Sequence, residues 1–153
     1  MIKKSTDNKI ELCSTATKED IDFVVNGIID YGKKSLEENK SEKRYCFLRK
    51  ENGNLIGGGI GVSSLNMFFI THLYVEEKER CKGYGSYLLK SIEGQAAEVG
   101  CDLIRLNTVN ERASSFYINY GYKVTVEISN YAGNYKLIYL EKKLSKRNRI
   151  SAD

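Results

Sequence analysis

Arg80, Gly83 and Gly85, spaced as Arg-x-x-Gly-x-Gly, are the residues of this chain best suited to hold a ligand. They stand between an apolar run ending at Leu73-Tyr74-Val75 and an amphipathic segment opening at Tyr84-Gly85-Ser86. A strand, a short charged turn and a helix in that order aim backbone N–H groups and the positive helix end at one point, where an anion is favoured. The glycines let backbone come close to that anion, and Arg80 and Lys82, on either side of Cys81, add formal positive charge. The chemistry implied is the binding of a pyrophosphate. This is not a Walker loop, because the Gly-Lys-Ser/Thr ending is missing.

His72 is the chain's only histidine and lies on the strand itself. Imidazole is the side chain that exchanges protons near neutral pH. Strict alternation sets His72 on the face opposite Thr71, Leu73 and Val75, and only a bulge would re-aim it. A packing role and a catalytic role are both open. Glu76 and Glu77 read as a solvated turn.

The elements that position these residues form one mixed α/β domain. Lys9–Cys13 alternate as a first strand, and Thr17 with Asp20 makes a capping box ahead of the stripe Ile21, Val24, Val25, Ile28, Ile29. Residues 32–43 read as a second short helix or a loop. Strands at 45–48 and 55–62 flank the hairpin signal Asn52-Gly53, and a fourth strand runs through 67–75. The next helix carries Leu88, Leu89, Ile92, Ala96 and Val99 on one face and stops at Gly100; a strand at 103–108 and a helix from Glu111 to Tyr120, stopped by Gly121, follow. Val124–Ile128 and Lys136–Leu144 close the domain as a hairpin around 130–134. The domain spans 1–144, with 145–153 a basic, frayed tail. Gly57, Gly58, Gly59 and Gly61 lack a dinucleotide spacing and mark a bulge or a close backbone approach.

Composition narrows the class. With 153 residues, 41% hydrophobic, the chain can bury a core, and its net charge of +4 suits a small polyanion better than a nucleic acid. No signal peptide or membrane-spanning run is visible, so a soluble, cytoplasmic protein is expected. Cys13, Cys46 and Cys101 sit among apolar residues as buried thiols of a reducing compartment; Cys81 lies in the basic turn, where a structural role is favoured. No metal-ligand spacing occurs, and no metal is expected.

A second motif, Asn110-x-x-Ala113-x-x-Phe116-Tyr117-x-x-x-Gly121-Tyr122, follows the strand at 103–108. With both motifs in this order and separation, the chain resembles the GNAT superfamily of acyl-CoA-dependent N-acetyltransferases over residues 9–144. The resemblance implies a mostly antiparallel, twisted sheet of about seven strands, splayed between the fourth and fifth, with about four helices. It implies acetyl-CoA as cosubstrate, its diphosphate on the amides of Cys81, Lys82, Gly83, Tyr84, Gly85 and Ser86 with Arg80 and Lys82 beside it. The pantetheine arm would pair with Leu73, Tyr74 and Val75, the Val75 N–H polarising the thioester carbonyl. Asn110 matches a position that bonds that arm, with Ala113 and Phe116 beside it; Phe116 also reads as a core aromatic. Tyr117 matches the general acid that protonates a departing thiolate.

The base is the departure from the pattern. Many members carry a carboxylate four or six residues before the Val75 position, where this chain has Thr71 and Phe69. A primary amine has a pKa of about 10 and must lose a proton before attack. His72, a water chain, or an amine delivered neutral could meet that need. The acceptor would be an amine of a small molecule or peptide, near 29–38 and 129–135, where Tyr31, Tyr131 and Tyr135 stand. Neither nucleic acid nor membrane is expected as partner, and the chain would be a monomer or homodimer. A non-catalytic acyl-CoA sensor is the main competing reading; a nucleic-acid binder using Lys142, Lys143, Lys146, Arg147 and Arg149 ranks behind it, for want of interleaved aromatics.

Overall fold

The structure, a computed structural model, describes residues 12–33 and 41–145. It divides into two units, one ending at Asn39 and the other beginning at Lys40. In the first, helix α1 (Lys18–Lys33) begins with the expected reciprocal cap. Thr17 N and Oγ1 donate to Asp20 Oδ2 at 2.8 and 2.9 Å, and Asp20 N donates back to Thr17 Oγ1 at 3.2 Å. Those bonds, the backbone one foremost, hold the Asp20 carboxyl below the ordinary carboxylate range. The strand expected at 9–13 falls mainly outside the described residues, and Leu12 and Cys13 are not in a strand. Most of the segment expected at 32–43, and the tail beyond 145, also lie outside them.

The second unit runs β1 (Lys43–Arg49), β2 (Leu55–Ser64), β3 (Met67–Val75), α2 (Tyr84–Glu98), β4 (Leu103–Thr108), α3 (Glu111–Asn119), β5 (Lys123–Ala132) and β6 (Tyr135–Lys143). One sheet holds all six strands in the order β1-β2-β3-β4-β6-β5. Every neighbouring pair is antiparallel except β3 with β4, joined through α2. This is the mixed α/β class expected, with six strands and three α-helices among the described residues in place of about seven and four.

Glycines permit the tight sheet and end the helices. A Cβ at Gly61 would lie 2.1 Å from the Phe68 ring, and one at Gly58 would lie 2.6 Å from the Phe47 ring. The glycine-rich β2 thus makes room for aromatic rings on both faces. Gly100 at φ +81 and Gly121 at φ +89 stop α2 and α3, with Cys101 N reaching back to Ala96 O and Tyr122 N to Tyr117 O.

Helices α2 and α3 share one apolar cluster with the sheet. Phe68 and Ile70 from β3, Leu89 and Ile92 from α2, Ile104 and Leu106 from β4, Tyr117 from α3 and Leu140 from β6 meet there. Each large side chain fully buried in this way contributes about 1.5–3 kcal/mol. A ladder hydrogen bond nets only about 1 kcal/mol. The two halves of the sheet are therefore held together by side chains more than by the β3–β4 ladder, and that ladder can be short.

Candidate active site

β3 and β4 pair only at Met67–Leu103, Phe68–Ile104 and Phe69–Arg105. Beyond Phe69 the two part, β3 continuing beside β2 to Val75 and β4 beside β6 to Thr108. Glu76 N donates to Ile56 O of β2 at 2.8 Å. Successive N–H groups of an extended chain point to opposite edges. Those of Val75 and Leu73 therefore face the unpaired edge toward β4. On the same edge Arg80 Nε donates to Val75 O at 3.0 Å, and its guanidinium lies over the Tyr74 ring, 5.9 Å from the centroid.

Past Val75, a single 3-10 turn (Glu77–Glu79) and extended Arg80 lead into Cys81 at φ +61 and Gly83 at φ +83. Gly83 is the N-cap of α2, and no side chain caps that first turn. Its N–H groups lack intrahelical partners, and the positive end of the helix is open. A Cβ on Gly83 would meet nothing within 4 Å, whereas one on Gly85 would lie 3.6 Å from the Phe116 ring. Gly83 thus opens the loop outward and Gly85 closes α2 against α3. Ser86 Oγ donates to Gly83 O at 2.8 Å, and Tyr84 lines a cleft of about 570 Å³ with Leu48, Lys50 and Ile56.

Glu79 is the residue that the sequence reading of this loop missed. It is 6% exposed and accepts from Lys50 Nζ at 2.5 Å and Lys82 Nζ at 2.8 Å. Those two hydrogen bonds, that of Lys50 foremost, hold its carboxyl down at about 2. The available signal was Glu79-x-x-Lys82 inside a run of charge. The carboxylate ties the β1–β2 hairpin to the loop and partners Lys82, whereas the partner of Arg80 is Val75 O.

Asn110 acts first as the cap of α3. Its Oδ1 accepts from Arg112 N at 2.9 Å and Ala113 N at 3.2 Å, and its side-chain NH2 makes no hydrogen bond among the described residues. Ala113 and Phe116 are half-buried against the core, the Phe116 ring 5.2 Å from that of Tyr117. Tyr117 is 8% exposed and lies edge-on to Tyr122 at 5.5 Å. Burial pushes its phenol up to about 12, so it stays protonated at working pH. Its hydroxyl makes no hydrogen bond among the described residues. Behind it Tyr122 donates to Glu93 Oε1 at 3.0 Å, and Lys142 Nζ bonds both Glu93 oxygens, a triad not singled out from sequence.

The bulge on which His72 depended is present. Ile60 is opposite His72 and Gly61 opposite Ile70, leaving Thr71 as the extra residue of β3. Strict alternation put Thr71 and His72 on opposite faces; the bulge brings them side by side, His72 Nδ1 lying 3.0 Å from Thr71 Oγ1. Both are exposed, whereas Phe68 and Ile70 are buried in the core. The thiols differ from expectation at one place. Cys101 is buried and Cys46 half-buried, both pushed up by burial, but Cys13 is exposed, as is Cys81. No group of three or more metal-binding side chains occurs among the described residues.

Residues 13–122 match the model of the Acetyltransferase (GNAT) family. The chain belongs to that family. Among its relatives, the acetyltransferase Atu2258 of Agrobacterium fabrum is 25% identical over 96 residues, 63% of this chain and 70% of that one. The crystal structure of an acetyltransferase from Bacillus cereus ATCC 14579 superposes with a TM-score of 0.82 at 29% identity, covering 88% of this GNAT chain and 98% of that protein. An aminoglycoside 6'-N-acetyltransferase crystallised with coenzyme A shares the fold at a TM-score of 0.63 and 18% identity, over 69% of this chain and 75% of its own. No helix among the described residues of this GNAT protein is long and apolar enough to cross a membrane.

Proposed function

We propose that this chain transfers an acetyl group from acetyl-CoA to the amine of a small molecule or peptide, by direct attack with both substrates bound. The observation that carries the proposal is the unpaired edge of β3 followed, past one short turn, by an uncapped, glycine-opened helix. Leu73 and Val75 offer N–H groups along that edge, and the left-handed Gly83 leaves open space where a side chain would stand. Those features fit an extended amide-bearing arm ending in a diphosphate.

Acetyl-CoA supplies the acetyl group as an activated thioester. The amides of 81–86 would hold the diphosphate, the Val75 N–H would polarise the acyl carbonyl, and Asn110 has its side-chain NH2 to offer the arm. His72, on the exposed face of β3, takes a proton from the attacking amine as the C–N bond forms. Tyr117, held protonated, gives its proton to the departing sulfur as the C–S bond breaks. Isothermal titration with acetyl-CoA, followed by a screen of diverse amines read by free thiol, tests the reading. No binding at millimolar concentration ends it.

A non-catalytic acyl-CoA-binding module is favoured by one observation, that β3 carries no carboxylate. Binding without thiol release across the amine panel would decide for it.

A further inference from the structure

We infer that Thr71 is a positioning residue that selects the proton-accepting tautomer of His72, an inference that rests on the acetyl-transfer reading above. A threonine hydroxyl has a single proton to give. Here Thr71 Oγ1 donates it to the Ile60 carbonyl at 3.1 Å. The lone pair of that same oxygen faces His72 Nδ1 at 3.0 Å and accepts from it. The ring proton is therefore on Nδ1, and Nε2 is left as a bare lone pair able to take a proton from an amine. Ile60 is itself the ladder partner of His72, so the carbonyl at the end of the relay is fixed in the sheet. The bulge makes this possible, because on a regular strand Thr71 and His72 would point to opposite faces.

An unconstrained imidazole in water prefers the other tautomer, in which Nε2 carries the proton and only Nδ1 can accept one. The relay reverses that preference without a carboxylate. When Nε2 takes the amine proton, the ring becomes a cation and the Nδ1–H bond to Thr71 becomes charge-assisted, which strengthens it at the moment the base is loaded. Thr71 would thus answer for the acid residue that β3 lacks.

The chain has one histidine, so the imidazole nitrogen-15 shifts of the labelled full-length protein belong to His72 without further assignment. The Nδ1–H tautomer is expected to dominate the neutral ring. Thr71→Val keeps the branched shape and removes the hydroxyl. It is expected to move the tautomer ratio toward Nε2–H by about fivefold, the worth of one net hydrogen bond. With an amine acceptor from the screen, kcat is expected to fall by less than that ratio, about twofold, because the competent fraction changes less than the ratio does, with the acetyl-CoA KM unchanged. Thr71→Ser restores both. A wild-type ring protonated at Nε2, a ratio that valine leaves unmoved, or undiminished turnover in His72→Gln each overturns the inference. The expected ring spectrum with no acetyl-CoA binding would instead overturn the acetyl-transfer reading alone.

Discussion

Gly83 and Gly53 form a matched pair for testing the loop. Their φ angles are +83 and +84, and a Cβ on either would meet nothing within 4 Å. Alanine at either position is therefore expected to cost about 1–2 kcal/mol from left-handed backbone alone, with no clash to add. For a chain of this size that lowers Tm by roughly 2–8 °C. What differs is what the new methyl faces. At Gly53 it projects from the β1–β2 turn. At Gly83 it stands at the mouth of α2, where amides must come within hydrogen-bond distance of phosphate oxygens. Holding them back is expected to weaken acetyl-CoA binding by about tenfold or more, about 1.4 kcal/mol. Thermal melts and isothermal titration of both variants at one salt concentration make the comparison. Equal losses of Tm with wild-type affinity in both would show that the loop does not hold the diphosphate, and the reasoning from uncapped amides would fail.

Tyr117→Phe is expected to lower turnover by about 10²-fold or more while leaving acetyl-CoA affinity intact, the mark of a general acid; unchanged turnover removes it from that role. The same residue predicts alkaline instability. An unfolded phenol ionises at about 10 and Tyr117 at about 12, so folding favours the neutral form. Stability is whole below pH 10 and falls as pH rises through 12, by at most about 2.7 kcal/mol from this group. Urea melts between pH 9 and 12 should show that loss reduced in Tyr117→Phe, and an unaltered pH dependence would refute it. In β2, Gly61→Ala places a methyl 2.1 Å from the fully buried Phe68 ring; a loss of about 1–3 kcal/mol in urea is expected. Gly94→Ala, inside α2 with nothing within 4 Å of the new Cβ, is expected to gain about 0.4–1 kcal/mol in the same assay.

The parts of this fold that were legible in the sequence are those fixed by local chemistry. The Thr17–Asp20 cap, the Asn52-Gly53 turn and the glycine stops at 100 and 121 each depend on residues within a few positions of one another. The loop at 80–86 was legible for the same reason, since strand, glycines and helix are contiguous. The bulge at Thr71 was not. Alternation assumes that every residue of β3 has a partner, and nothing in Ile70-Thr71-His72 announces that β2 is one residue short. Glu79 was hidden differently. In sequence it belongs to a hydrophilic run, and Lys50, brought in from the β1–β2 connection, joins Lys82 to make its burial tolerable. The Tyr122–Glu93–Lys142 triad joins α2, β6 and the stop of α3, a convergence that no local pattern encodes. Cys13 shows the converse error, because apolar neighbours along a chain do not guarantee cover in space.

Three residue pairs are all that stitch β3 to β4, and from Ile70 onward the sheet is unzipped by design. An acyl donor lying along Leu73 and Val75 would take the place of the missing rungs. Occupancy and rigidity would then rise together: the loaded protein would resist unfolding by an amount set by donor concentration, and starved of it the same seam would be the first part of the sheet to exchange its amide protons with water.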